Sequence, residues 1–255
     1  MLSTRVFLDF ATDAAWQAGR LTLPYFQTGV EVERKTDGSP VTAADRAAEA
    51  HLRRLLEARF PDHDIVGEEM GASGRGSTHR WYIDPIDGTQ SFVRGVPLYG
   101  VLLGLQVDGE MVVGVAAFPA LGEVLAAASG LGCSWNGRPA RVSAVSRLSE
   151  ASLSFTDSAD LRRRRPGAWD RLQAATRIQR GWSDCYGHCL VATGRVDVML
   201  DPIMNPWDCA ALLPILREAG GTFTDWNGSP TIDGGHAIST NGVLFDEIME
   251  IVREP

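Results

Sequence analysis

The sequence predicts an α+β fold of layered helices and sheets, and two textures along the chain predict it. From Leu98 to Trp135, β-rich runs are separated by turns at Asp108-Gly109, Leu121-Gly122 and Asn136-Gly137, the pattern of antiparallel strands in succession. Beyond about Ser143, short strands alternate with helical stretches, which requires α and β layers packed on one another. A chain of 255 residues can bury a large core, and no linker, internal repeat or low-complexity tract divides it. Two closely packed lobes are expected, residues 1–142 and 143–255.

Taken in order, Val6, Phe10, Ala14, Ala18, Leu21 and Tyr25 recur at helical spacing and predict a long opening helix, kinked at Pro24 and ending near Gly29. After the polar turn from Lys35 to Pro40, a second helix runs from Val41 to Phe60 with Leu52, Leu55, Leu56 and Phe60 on one face. Ile65 to Gly67 reads as a short strand running into Glu68 and Glu69. The Gly/Ser-rich stretch from Gly71 to Thr78 reads as a flexible flap, and Arg80 to Ile83 as the strand after it. In the second half, strands are expected at Ser152 to Phe155, Arg177 to Trp182, Val196 to Leu200 and Gly221 to Trp226. Helices are expected up to Leu172, at Ser183 to Thr193, at Pro206 to Ala219 and after Asn241.

The net charge of −8 argues against a nucleic-acid groove, which needs a positive surface to displace counterions from phosphate. The longest uncharged apolar stretch, Gly95 to Val107, is too short to span a bilayer, and Asp9 and Asp13 interrupt any secretory signal pattern. A cytoplasmic protein is expected. Cys133, Cys185, Cys189 and Cys209 show no zinc spacing and read as buried thiols.

The chemistry gathers around Trp81 to Phe92, where an apolar run meets Asp84, Pro85, Asp87, Gly88 and Thr89. Proline denies a ladder hydrogen bond, so the strand is expected to stop there, and Gly88 permits a sharp turn. Two carboxylates on one bend repel each other unless a cation sits between them, and an all-oxygen donor set suits magnesium or manganese. A simple Asx-rich turn is the alternative. Glu68 and Glu69 end another strand sixteen residues before Asp84, so the two bends are expected to be neighbours. Asp208, at the third position of the helix opened by Asn205 and Pro206, fits either a dipole-complementing acid or a bridging ligand from the second lobe. Asp45 fits a capping box with Thr42, or a holder for a threonine that orients water.

Gly-Glu-Glu at 67–69, Asp-Pro-Ile-Asp-Gly-Thr at 84–89 and Trp-Asp at 207–208 resemble, in order and spacing, the motifs of the inositol monophosphatase superfamily of magnesium-dependent, lithium-sensitive phosphatases. The likeness covers nearly the whole chain. It implies an α-β-α-β-α sandwich of the inositol monophosphatase / fructose-1,6-bisphosphatase type, commonly a homodimer. By resemblance, Glu68, Asp84 and the Ile86 carbonyl would hold a first magnesium, and Asp84, Asp87 and Asp208 a second, with a weaker third near Glu68 and manganese as a substitute. The Gly88 and Thr89 amides would receive the phosphate, while Thr89 with Asp45 would orient the attacking water. The family's chemistry is in-line displacement by a metal-activated water, with the leaving alkoxide stabilised by the second ion. A haloacid-dehalogenase phosphatase separates its two aspartates by one residue; two separate Asp84 from Asp87.

Within the superfamily, Lys35 to Thr42, Ser91 to Gly100, Asp184 to Gly194 and Asp201 to Asp208 resemble the histidinol-phosphatase branch. The implied substrate is L-histidinol phosphate, whose ammonium and imidazole would favour additional acids, and Asp184 and Asp201 are the expected substrate contacts beside Asp87 and Asp208. An inositol-1-phosphatase or a broad sugar or nucleotide phosphatase is the alternative, and a non-catalytic binding role is a more distant one. His188 is expected to be a packed or interface residue, Arg162 to Arg165 a solvated helix end, and Trp81 and Trp207 core residues flanking the site.

Overall fold

The structure is a computed structural model describing residues 2–253 apart from Asp37, within the turn expected at 35–40, and Arg75, within the expected flap. The opening helix α1 (Thr4–Thr22) and α2 (Ala43–Arg59) flank a hairpin of β1 (Glu33–Arg34) and β2 (Pro40–Val41). There follow β3 (Asp64–Gly67), β4 (Gly71–Ser73), β5 (His79–Asp87), the short α3 (Thr89–Val93), β6 (Gly100–Val107), β7 (Glu110–Phe118), β8 (Glu123–Ala128), β9 (Gly132–Trp135) and β10 (Arg138–Pro139). These form an eight-stranded sheet in the order β10-β9-β8-β7-β6-β5-β3-β4. The predicted two-residue turns are present, with positive φ at Asp108, Gly109, Asn136 and Gly137, which suits the twist of a tight hairpin.

The second half contributes β11 (Ser152–Phe155), α4 (Ser158–Arg164), α5 (Pro166–Ala175), β12 (Ile178–Arg180), α6 (Asp184–Ala192), β13 (Val198–Asp201), α7 (Pro206–Glu218), β14 (Thr222–Thr224), β15 (Ala237–Thr240) and α8 (Phe245–Arg253). Their sheet runs β12-β11-β13-β15-β14, with β11 parallel to both neighbours and β15 antiparallel to both of its own.

Alternation along the strands builds the layers. In β6 and β7, Val101, Leu103, Leu105, Val113 and Val115 join Phe7, Ala11, Leu52 and Leu56 of α1 and α2. Leu102, Ala116 and Phe118, on the other face, pack on Cys189, Ala210 and Leu213 of α6 and α7, together with Met199 and Phe223 of the second sheet. Leu153, Val198, Leu200 and Ile238 bury the far face of that sheet against Leu161, Trp169, Leu172 and Ile248. The order is therefore helix, sheet, helix, sheet, helix. Each fully buried aliphatic side chain contributes about 1.5–3 kcal/mol, and Leu103→Ala at the centre of the first core would cost about 2–5 kcal/mol.

Several expectations need correction. The buried face of α1 is Phe7, Leu8, Ala11, Ala14, Ala15 and Ala18, so Val6 and Phe10 flank the stripe and Leu21 faces solvent. Instead of a flexible flap, Gly71–Ser73 pairs antiparallel with β3. The strand at Arg80 does not stop at Pro85: it continues to Asp87, and a register shift against β6 between Asp84 and Asp87 absorbs the missing donor. The helix expected to run up to Leu172 is two helices, because the residue before a proline avoids the helical region and Arg165 precedes Pro166. The strand β15 had no counterpart in the sequence reading. Among the described residues, no helix is long and apolar enough to cross a membrane.

Candidate metal-binding active site

Strands β3 and β5 are parallel neighbours with Gly67 opposite Ile83, and the Glu68 amide donates to the Ile83 carbonyl at 3.1 Å. The acids that end the two strands are thereby brought side by side. From the opposite half, α7 presents Asp208 at its first turn. Ligand oxygens of Asp84, Asp87 and Asp208 all lie within 4.8 Å of one another. Asp208 also closes a capping box, accepting from the Asn205 amide at 2.7 Å in the first turn, where an acid complements the helix dipole.

The bulge at Pro85 turns the Asp84 carboxylate onto the Ile86 amide at 3.0 Å, while the Ile86 carbonyl accepts the Thr89 hydroxyl at 2.9 Å. Gly88, at φ 80, ends the bend in a conformation that few other residues adopt, and α3 begins at Thr89. A Cβ at Gly88 would lie 3.0 Å from Asp184 Oδ2. Asp184 opens α6 at φ 36, accepts from Ser91 Oγ at 3.2 Å, and is followed by the Cys185 amide, which donates to Asp87 Oδ2 at 2.7 Å. Asp201, at the end of β13, accepts from Thr156 Oγ1 at 2.6 Å and the Ile203 amide at 3.2 Å.

Burial, reinforced at Asp84, Asp87, Asp201 and Asp208 by neighbouring acids, raises the proton affinity of these carboxyls. Burial, then the charges of Glu68, Asp87 and Asp208, hold Asp84 well above the usual carboxylate range; burial, then Asp184 and Asp208, do the same to Asp87. Burial pushes Asp208 up to about 7 despite its amide partner, and Asp201 up to about 8 despite the Thr156 hydroxyl. Asp184 is raised by burial too.

Glu68 stands at the margin of this cluster. Lys35 Nζ reaches Glu68 Oε1 at 2.6 Å and Glu69 Oε1 at 2.7 Å. Burial pulls the Lys35 ammonium down, but these two contacts outweigh it and hold it above its ordinary value. Burial pushes Glu69 up to about 7 against the pull of Lys35. Asp45 accepts both the Thr42 amide, at 2.8 Å, and the Thr42 hydroxyl, at 2.6 Å, through Oδ2; its buried Oδ1 has no protein partner. The Thr89 hydroxyl is bonded to Ile86 rather than to Asp45.

His188 is fully buried, with Nδ1 2.6 Å from Ser239 Oγ, and all four cysteines are buried and free. Trp81 is fully buried, its Nε1 donating to His63 at 3.1 Å, whereas Trp207 is only partly buried, contrary to the expected core position.

Sequence reasoning missed Lys35, Glu49 and Arg53. Glu49, fully buried on α2, accepts the Glu69 amide at 2.7 Å, the Met70 amide at 3.1 Å and Arg53 Nε at 2.8 Å; Arg53 also reaches Ser73 Oγ at 3.1 Å and the Gly71 carbonyl. A Cβ at Gly67 would lie 2.1 Å from Glu49 Oε1, so a larger residue there would displace the Glu49 carboxylate. The available signal was position: Glu49 and Arg53 are an i,i+4 pair on the same face of α2 as Leu52 and Leu56.

The donor set fits a divalent cation. Three carboxylates converge without a protein cation in ion-pair reach among the described residues, and one further buried carboxylate oxygen, Asp45 Oδ1, lacks a partner nearby. Hard oxygen donors of this kind select magnesium or manganese over zinc.

Comparison with known proteins agrees with this geometry. The family described as "Inositol monophosphatase family" matches residues 3–254. A protein named "Histidinol-phosphatase" from Chlorobaculum parvum is 46% identical, over 93% of this chain and 93% of its own. Another of that name from Mycobacterium tuberculosis is 42% identical, over 86% of this chain and 87% of its own. The solved structure of inositol monophosphatase from Anabaena (Nostoc) superimposes with a TM-score of 0.86 at 34% identity, covering 97% of this chain and 95% of that one. In sequence, in fold and in the convergence of its acids, this chain belongs to the inositol monophosphatase family, whose members are metal-dependent phosphatases.

Proposed function

We propose that the protein hydrolyses L-histidinol phosphate to L-histidinol and phosphate, a step of histidine biosynthesis, using Mg2+ or in its place Mn2+. The observation that carries this reading is Asp184, an acid set against the Gly88 bend beside the Asp84, Asp87 and Asp208 cluster. A phosphate on the bend places its ester group next to Asp184, and a carboxylate there favours an ammonium and an imidazole over a neutral polyol. The relatives named for histidinol phosphate support the same choice.

Asp84, Asp87 and Asp208 would hold the central ion, and Glu68 with the Ile86 carbonyl would complete a neighbouring site. When bound, the metal supplies an acidified water and counter-charge for the phosphate and the leaving oxygen. Gly88 and Thr89 would present their amides to the phosphate. Asp45, with one oxygen fixed by Thr42 and the other unpartnered, would hold a water in the site, and Thr89, anchored to the Ile86 carbonyl, would keep the bend in register. Asp201 and Asp184 line the side where the leaving group sits.

Mg2+-dependent phosphate release from L-histidinol phosphate, measured beside inositol-1-phosphate, tests the proposal. A clear preference in kcat/KM for the histidinol ester supports it. Preference for the inositol ester would replace it with the activity for which the Anabaena relative is named.

A further inference from the structure

Trp182 is half exposed, at 50%, whereas Trp81, Trp169 and Trp226 are all buried. Its backbone is held at φ 61, and Asp184 two residues later at φ 36; both are non-glycine residues in the left-handed region. Such conformations are costly and concentrate where a loop is held for function. Trp182 lines a cleft of about 330 Å³ together with Gln90, Ser91, Arg94, Thr156 and Asp184. The cleft adjoins the carboxylate cluster, since Asp184 lies against Gly88 and the Cys185 amide is bonded to Asp87.

The cleft therefore combines a half-exposed indole with a part-buried acid, immediately beside the bend where the phosphate is placed. A flat, weakly basic heteroaromatic ring matches both features: its face stacks on indole, and its N–H groups are drawn to a carboxylate. A polyol has hydroxyls for the acid but no π-face for the indole.

Resting on the histidinol phosphate reading, we propose that Trp182 is a specificity-determining residue whose indole stacks on the imidazole of the substrate. Its contribution lies in binding the non-reacting end of the ester, so it appears in KM more than in kcat.

Steady-state kinetics of the Mg2+-loaded enzyme, with Trp182→Ala and Trp182→Phe beside wild type, test this on L-histidinol phosphate and inositol-1-phosphate. Trp182→Ala should raise KM for L-histidinol phosphate about tenfold with little change in kcat, and raise the inhibition constant of L-histidinol in proportion. Inositol-1-phosphate turnover should change less than about twofold, and Trp182→Phe should recover most of the loss by restoring a ring. If wild type prefers L-histidinol phosphate but Trp182→Ala leaves KM unchanged, or weakens both substrates equally, the stacking role is overturned while the activity stands. If wild type shows no preference for L-histidinol phosphate, the substrate reading itself fails, and the stacking role with it.

Discussion

The bend after β3 and the bend after β5 lie side by side and both gather acids, yet their neighbours differ. After β3, Glu49 meets Arg53 and two backbone amides, and Glu68 and Glu69 share Lys35. After β5, Asp84, Asp87, Asp184 and Asp208, together with Asp201, accept hydrogen bonds from amides and hydroxyls, with no ion-pairing Lys or Arg among the described residues. Neutral donors satisfy lone pairs but bring no positive charge, so burial, and after it the neighbouring carboxylates, hold Asp84 and Asp87 protonated at higher pH than usual. At the first bend Lys35 and Arg53 offset much of the charge of the three carboxylates and brace the loop. The second is left short of positive charge, and a cation from solution can supply it.

Four variants or conditions break or sharpen that contrast, beginning with the largest effect. Asp87→Asn should reduce Mg2+-dependent phosphate release on the order of 10³-fold, the scale seen when one electrostatic partner of a transition state is lost. The same change should raise the melting midpoint of the metal-free protein by about 2–4 °C, because it removes a part-buried carboxylate repelled by its neighbours, an effect on the order of 1 kcal/mol. A lowered midpoint would mean that the Asp87 charge is already compensated. At the braced bend the sign reverses: Glu49→Gln leaves Arg53 without its buried partner and should destabilise the fold by about 3 kcal/mol, read by chemical denaturation. A neutral outcome there would show that Glu49 is not needed as a charge.

Added Mg2+ should act on the second bend and on Glu68 beside it. At about 100 times its Kd it should stabilise wild type by about 2.7 kcal/mol, and Asp87→Asn by much less. A pH-dependent effect, negligible at neutral pH, concerns a group outside both bends. Burial holds His188 down at about 3, so the folded state keeps it neutral while the unfolded chain protonates near 6.5. Its contribution to stability is complete above about 6.5 and is lost as pH falls toward 3, at about 1.4 kcal/mol per pH unit. His188→Gln should flatten that acid slope relative to wild type; an identical slope would place the titration elsewhere.

Much of the second bend was legible in the sequence, because Asp84, Pro85, Asp87 and Gly88 are local in the chain and their chemistry constrains one another. Pro85 misled in one respect: a proline ends a regular ladder, but a bulge lets the strand resume at Asp87, and the partner register that permits this belongs to β6. The brace was not legible. Lys35 sits 33 residues from Glu68, and only the pairing of β3 with β5 and the packing of α2 place Glu49 beneath Glu69. The strand β15 escaped for a related reason: Ala237–Thr240 is short, ends in buried Ser239 and Thr240, and owes its conformation to the two strands beside it. Element order followed from periodicity, whereas the exact buried face of α1 depended on which small residues fit against the sheet, which the larger apolar side chains obscured.

The most direct measurement is isothermal titration of the metal-free protein with Mg2+, wild type beside Asp87→Asn. A saturable binding heat in wild type that is abolished or greatly weakened in the variant is the result expected if the second bend is left for an external cation. Absence of saturable binding in wild type, or equal binding by both proteins, would contradict it.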